Sequence, residues 1–566
     1  MAPRLLARLL LAWAALTLVA TLAVHAAFAM TLDEAHPLAV VASVWSGGEL
    51  VERAVLAGPG DHDAELQAAL ASHPGATLVR ESIIGDGPVV AWSQTALAMS
   101  VVPGRDGIVA TMDGRSVFVT PDDLLARQAY DRGIEFRGLE LQIGLDVATL
   151  LEMLGDRLGI SANDVMDRAH LRRFRVVRIV DGATVRLPTA ASLTDDDVRT
   201  SAIAAARHLA RGVDDSGRFR YLVDAPSNRL LPGYDLPRHA GATYFLAQVA
   251  ALSGDQDIGE AGLRAAGYLR DRARVNCGDR RCIGDRSYVD VGSTALALLA
   301  FVEIARTRLD PSYAGLVPEL TDFLRSQQRA DGDFMHVYDR KANAPIDVQL
   351  LYYTGEAALA LSRAHTLLGD ARDLDAATRA LARLVHGSWS FFGSNYYWGE
   401  EHWTCQAMDD LWGRAPSPDA LDFCLGWAAY GRKLMYGAGD TAFDADGAYG
   451  FGPFVTPRLT PAGSRTEAGI ATLDAARRAG RPREQTAPLE DQLRRTVAML
   501  LRHQLDARVG HLMVEPEAVD GAMPSTEVDW TLRIDYAQHT GSALVRWLDL
   551  RSVVPGVQAG DKPGAN

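Results

Sequence analysis

Several short stretches of this chain crowd together side chains that can move protons or hold charged ligands. The run EEHW sets Glu400, Glu401, His402 and Trp403 side by side, two carboxylates, an imidazole and an indole. In LLYYTGEAAL, Tyr352 and Tyr353 precede Glu356. In IDYAQHTG, Asp535 and His539 share one face if the segment is helical. LPGYDLPRHAG carries Arg238 and His239 just after Asp235 and Pro237. Two chemistries suit these residue types. A pair of carboxylates hydrolyses a glycosidic bond when one is a protonated acid and the other an ionised base or nucleophile. Glu356 and Glu401 are the candidate pair, with His402 beside them and Arg238 and His239 binding substrate. Alternatively an imidazole, from His239, His402 or His539, moves a proton next to a carbonyl or carboxylate, and Arg238 neutralises a uronate.

Aromatic side chains thicken around the same stretches, Trp398 and Trp403 foremost. Sugar rings have apolar faces and polar edges, so aromatic platforms among carboxylates suit a glycan. Each signal also has a plainer explanation. Acids gather at helix starts because the macrodipole favours them there. Glu467 in SRTEAG suits a capping interaction with Ser464, and Asp535 with His539 suits a structural pair. Arg238 raises a question of its own. A cation in the first turn of a helix capped by Asp235 opposes the dipole by about 0.3–1 kcal/mol, so neighbouring acids are expected. The GxSxG, HExxH and GxxxxGK[ST] signatures are missing from the chain, and no cofactor or metal site is expected.

The elements that would position these residues emerge after about residue 195, where two kinds of helical segment alternate about six times. One kind has a polar or aromatic start and a body of small residues, as in SYVDVGSTALALLAFVEIA and LLYYTGEAALALSRAHTLL. The other is amphipathic, as in LDAATRALARLV. Small-residue helices pack closely on every side and suit an inner ring; helices with one charged face suit an outer ring. Closure on itself buries such repeats without polar end caps. Each outer helix then returns the chain, and the inner helices gather their starts at one mouth. That mouth would collect Arg238, His239, Asp290, Tyr352, Tyr353, Glu356, Glu401, His402, Trp403, Glu467, Asp535 and His539.

This alternation, LRSQQRADGDF after a helix, and the polar starts to small-residue helices resemble the six-hairpin α/α-toroid enzymes. Many glycoside hydrolases, N-acylglucosamine 2-epimerase-like proteins and polysaccharide lyases belong there. The resemblance covers roughly residues 195 to 550 and implies a carbohydrate-active enzyme, a glycoside hydrolase first. A sugar epimerase or uronate lyase is the alternative, and a non-catalytic toroid that binds a glycan or a protein is another.

The expected fold is therefore mainly α, an α/α toroid preceded by a smaller mixed α/β domain over residues 30–190. In that domain GIVATM-DG-RSVFVT predicts a hairpin, TPDDLLARQAY a helix capped by Thr120, and DVATLLEMLGDRLG with SANDVMDRAHLRRF a helical pair. Residues 1–29 have a basic flank, an apolar run and Ala27-Phe28-Ala29, the pattern of a secretory signal. Export to a periplasmic or extracellular space is expected, with membrane contact only through that segment if it stays uncleaved. Residues 551–566 are expected to be a disordered tail. Four cysteines allow three pairings; the local one joins Cys277 to Cys282 and Cys405 to Cys424. A formal net charge of −14 argues against a nucleic-acid surface and leaves a carbohydrate as the expected partner.

Overall fold

The computed structural model describes residues 30–56, 62–130, 133–136, 139–142, 144–185, 187–284, 286–387, 402–437, 445–450 and 456–552. Residues 1–29 and the tail after 552 lie outside the described residues. The chain divides into two compact units. The first runs to Arg186 and takes in Gly452–Thr456 and His511–Val514; the second holds the remainder.

The first unit is built from β1 (Ala39–Ser46), β2 (Glu49–Leu56), α1 (Asp63–Ser72), β3 (Thr77–Pro88), α2 (Gln94–Ser100), β4 (Asp106–Met112), β5 (Arg115–Val119), α3 (Pro121–Ala126), a small hairpin of β6 (Gly133–Phe136) and β7 (Leu139–Gln142), α4 (Val147–Leu158), α5 (Ala162–Arg168) and β8 (His170–Val180). Its antiparallel sheet has the order β2-β1-β3-β8-β4-β5. Asp113 and Gly114 both take positive φ and turn β4 into β5, the two-residue geometry that matches strand twist. Thr120 and Asp123 cap α3 reciprocally. One expectation fails here. HLRRF does not continue α5, because helix ends at Arg168 and His170 opens β8. The β-branched run of Val176, Val177 and Ile179 favours a strand, and β8 is paired on both sides, by β3 and β4.

The second unit is a ring of helical hairpins. Six outer helices, α6 (Asp195–Arg211), α8 (Gln256–Tyr268), α10 (Val317–Gln327), α12 (Ala371–His386), α14 (Pro418–Arg432) and α16 (Arg483–His503), alternate with six inner ones. The inner helices are α7 (Leu236–Ser253), α9 (Val291–Arg306), α11 (Tyr353–Leu368), α13 (His402–Leu411), α15 (Leu459–Arg478) and α17 (Ile534–Ser552). Each inner helix packs on the next in that order, and α17 returns to pack on α7, so the ring closes. This is the six-hairpin α/α toroid. Burial follows the two helix types: every residue of α9 from Val291 to Ala305 is buried. In α12 burial is confined to a stripe that includes Ala376, Ala380, Leu381 and Leu384. Among the described residues no helix is long and apolar enough to cross a membrane.

Small antiparallel sheets depart from an all-helical expectation for this unit. Short strands lie between the helices, Leu222–Asp224 pairing with Thr531–Arg533, and Tyr288–Asp290 with Val337–Asp339. Tyr288–Asp290 and Thr531–Arg533 lead directly into the starts of α9 and α17. Both local disulfides form: Cys277–Cys282 closes a hairpin, and Cys405–Cys424 ties α13 to α14.

Candidate active site

A hollow of about 590 Å³ opens where the inner helices begin. Small residues let the starts converge. A Cβ on Gly292 of α9 would lie 2.6 Å from Glu356 Oε2, and one on Gly355 of α11 would lie 2.8 Å from Trp403 Cβ. Both positions therefore need glycine for the close approach of side chains from the neighbouring helix. Arg238, Tyr352, Tyr353, Glu356, His402, Trp403, Asp535 and His539 all line the hollow.

Arg238 sits in the first turn of α7 with the acids its position demands. Its guanidinium pairs with Asp235, donates to Asp535 Oδ2 at 3.2 Å and to the Tyr221 hydroxyl at 3.2 Å. Burial disfavours its charge, but Asp535, with Tyr221 and Asp235, outweighs that and holds the arginine above its ordinary range. Strand pairing supplies the geometry, because Leu222 lies opposite Arg533 and brings Tyr221 toward the start of α17. Asp235 precedes α7 without capping it by its side chain, which it gives to Arg238 instead.

Two imidazoles that line the hollow, His402 and His539, meet a third titratable group, Glu467. The rings of His402 and His539 are 5.1 Å apart and nearly perpendicular, and Trp403 packs 4.7 Å from His402. His539 Nδ1 lies 2.9 Å from Oε2 of Glu467, a buried residue of α15. An ionised Glu467 accepts and selects the tautomer with the proton on Nδ1 and the lone pair on Nε2; the Gln538 amide nitrogen, 3.3 Å from the same Nδ1, then makes no hydrogen bond to it. Each of His402, Glu467 and His539 offers one ligand atom within 4.8 Å of the others, a set that suits a borderline-soft divalent ion. Glu356, which also lines the hollow, is buried, and its Oε2 has no hydrogen-bond partner. Burial, then the carboxylates of Asp290 and Asp235, push its carboxyl well above the usual glutamate range, with Arg238 only partly opposing.

Several expected site residues stand elsewhere. His239 is fully buried, its ring held between the Tyr234 hydroxyl at 2.7 Å and the Ala265 carbonyl at 2.9 Å, and burial lowers its pKa to about 4. One residue along a helix from Arg238 turns the side chain by about 100°, so the two cannot both face the hollow. Asp290 caps α9, accepting from the Ser293 amide at 2.6 Å, and reaches Glu356 only through its charge. Glu467 does not cap with Ser464, because α15 starts earlier, at Leu459, and places Glu467 well inside the helix. Asp535 and His539 share a face but do not pair with each other; Asp535 takes Arg533 and Arg238. Glu401 and Trp398 lie outside the described residues. The early start of α15 also brings in Arg458 and Thr460, which line the hollow. Pro461 in its first turn is the sequence signal for that start.

No protein-family model and no curated protein matches this chain. Among solved structures it is similar to a D-mannose isomerase at 13% identity and a TM-score of 0.49, over 63% of this chain and 97% of that one. It is similar to the cellobiose 2-epimerase of Bacillus thermoamylovorans at 10% identity and a TM-score of 0.47, over 63% and 98%. An alpha-1,6-mannanase from Salegentibacter is similar at 11% identity and a TM-score of 0.45, over 62% and 99%.

Proposed function

We propose that this protein is an exported carbohydrate-active enzyme that moves a proton at the carbon beside the carbonyl of an open-chain sugar, a sugar isomerase or epimerase. The observation that carries this reading is the pair of adjacent imidazoles, one of them in contact with a carboxylate. With Glu467 accepting from Nδ1, Nε2 of His539 is the base for the proton on C2. As that bond breaks, the electron pair forms an enediol and the carbonyl oxygen takes up a proton. His402, or the protonated carboxyl of Glu356, supplies it. The two rings are neighbours rather than opposite walls, which suits transfer on one face from C2 to C1, an aldose–ketose interconversion. Arg238, held by its acids, is placed to bind sugar hydroxyls, and Tyr352, Tyr353 and Trp403 offer aromatic surface.

Hydrolysis is the second reading, favoured by Glu356, whose raised pKa is what a general acid needs. Its proposed partner, Glu401, lies outside the described residues. The two readings part in heavy water. An isomerase or epimerase incorporates solvent deuterium at C2 of the recovered aldose, and an isomerase also at C1 of the ketose, seen by NMR, and a glycosidase does not. His539→Asn is expected to slow that exchange by about 10²–10⁴-fold. Release of reducing ends from glycans without exchange would favour hydrolysis. Export is supported by the basic and apolar start with Ala27-Phe28-Ala29 and by two disulfides, which persist in oxidising compartments. N-terminal sequencing of the mature protein would then begin at Met30.

A further inference from the structure

Among the described residues that line the hollow most charges are paired, and the unpaired one points to a class of substrate. Arg238 and Arg533 are matched by Asp235 and Asp535: Arg533 donates to Asp535 at 2.6 and 2.9 Å, and Arg238 pairs with both acids. Arg458 is the exception. It lines the hollow, is exposed, and has no hydrogen bond or ion pair with any described residue. It stands immediately before α15, a 20-residue helix whose first turn holds no acid and whose start has no side-chain cap. A cation there opposes the helix dipole. At the start of α7 the fold answers the same problem with two aspartates; at the start of α15 no described residue does so. Two residues on, Thr460 also lines the hollow, and its hydroxyl is buried without a partner, although buried polar atoms are normally satisfied.

We infer that the substrate is an anionic sugar, one bearing a phosphate or carboxylate, and that Arg458 and Thr460 bind that group at the rim while the sugar reaches the imidazoles; this rests on the reading of the hollow as a sugar site. The guanidinium supplies charge-assisted hydrogen bonds and the threonine a neutral one. Arg458 acts in specificity and takes no part in proton transfer.

Calorimetric titration of the full chain with glucose, glucose 6-phosphate, glucuronate and inorganic phosphate tests this. One of the anionic sugars is expected to bind about tenfold more tightly than glucose, equivalent to one charged contact. Arg458→Gln should remove that preference and leave glucose binding unchanged, and Arg458→Lys should keep part of it. Thr460→Val, isosteric with the native side chain, should weaken only the anionic ligand. Equal binding of glucose and both anionic sugars overturns the inference, as does a preference that survives Arg458→Gln. Inorganic phosphate binding as tightly as glucose 6-phosphate also overturns it, since the sugar would then add nothing. Binding is read without turnover. A charge preference without deuterium exchange would therefore sink the isomerase reading and spare this one.

Discussion

Glu356 is held where its charge is disfavoured, by burial first and then by Asp290 and Asp235. That raised pKa makes the folded state lose stability as pH rises. Below the ordinary glutamate range both folded and unfolded chains keep the proton, and the contribution to stability is complete. Above about pH 4.3 the unfolded chain ionises first, so stability falls until the native carboxyl ionises too. Glu356→Gln removes the titrating group at nearly constant shape. Its melting temperature should decline less than the wild type's between about pH 5 and 8, measured by calorimetry; parallel curves would mean that the native carboxyl is already ionised. The same residue shows how far sequence alone reaches. The Tyr-Tyr-x-Gly-Glu pattern marks Glu356 as a pocket acid, but its protonation depends on Asp235 and Asp290, which belong to other hairpins. His239 is hard to place for the opposite reason: residue type suggests chemistry, while helical phase decides which of two adjacent side chains faces the hollow.

Between elements, the inner ring depends on positions where a helix backbone comes close to its neighbour. A Cβ on Gly463 of α15 would lie 2.8 Å from the Thr540 amide nitrogen and 3.0 Å from the His539 carbonyl carbon, both backbone atoms of α17. Neither can rotate away, so Gly463→Ala must push the helices apart. The expected cost is about 1–3 kcal/mol in urea unfolding, with slower proton exchange because His539 and Glu467 sit on the two displaced helices. Gly267 on α8 provides the control: a Cβ there meets only the tip of Arg270, 4.0 Å away. Gly267→Ala should be neutral or stabilise by up to about 1 kcal/mol through helix propensity. Small-residue runs made the inner helices legible in sequence because close packing requires them. The starts were less legible. TPRLTPAGS has none of the acids that usually announce a helix, and α15 begins about a turn before SRTEAG. The strand Thr531–Arg533 was missed because it is only three residues long and gains its pairing from residues 222–224, far away in sequence.

For the toroid as a whole, closure is a stronger statement than alternation. An open array of hairpins and a closed ring can share one local pattern, since both need inner and outer faces. They differ in what the last hairpin does. In an open array the terminal repeat touches one neighbour, so deleting it subtracts one repeat and one interface while the rest still unfolds cooperatively. Here α17 packs on α15, α7 and α6, and its removal exposes apolar faces on both sides of the break. It also withdraws Asp535, which holds Arg238, and leaves Glu467 buried without His539. A chain ending at residue 533 is therefore expected to lose the cooperative urea transition of the toroid altogether, followed by far-ultraviolet circular dichroism. The apolar dye ANS should bind the truncated chain and not the intact one. A truncated chain that kept a sharp transition, merely shifted to lower urea, would show that the hairpins stabilise one another as a row and that the contact of α17 with α7 adds little.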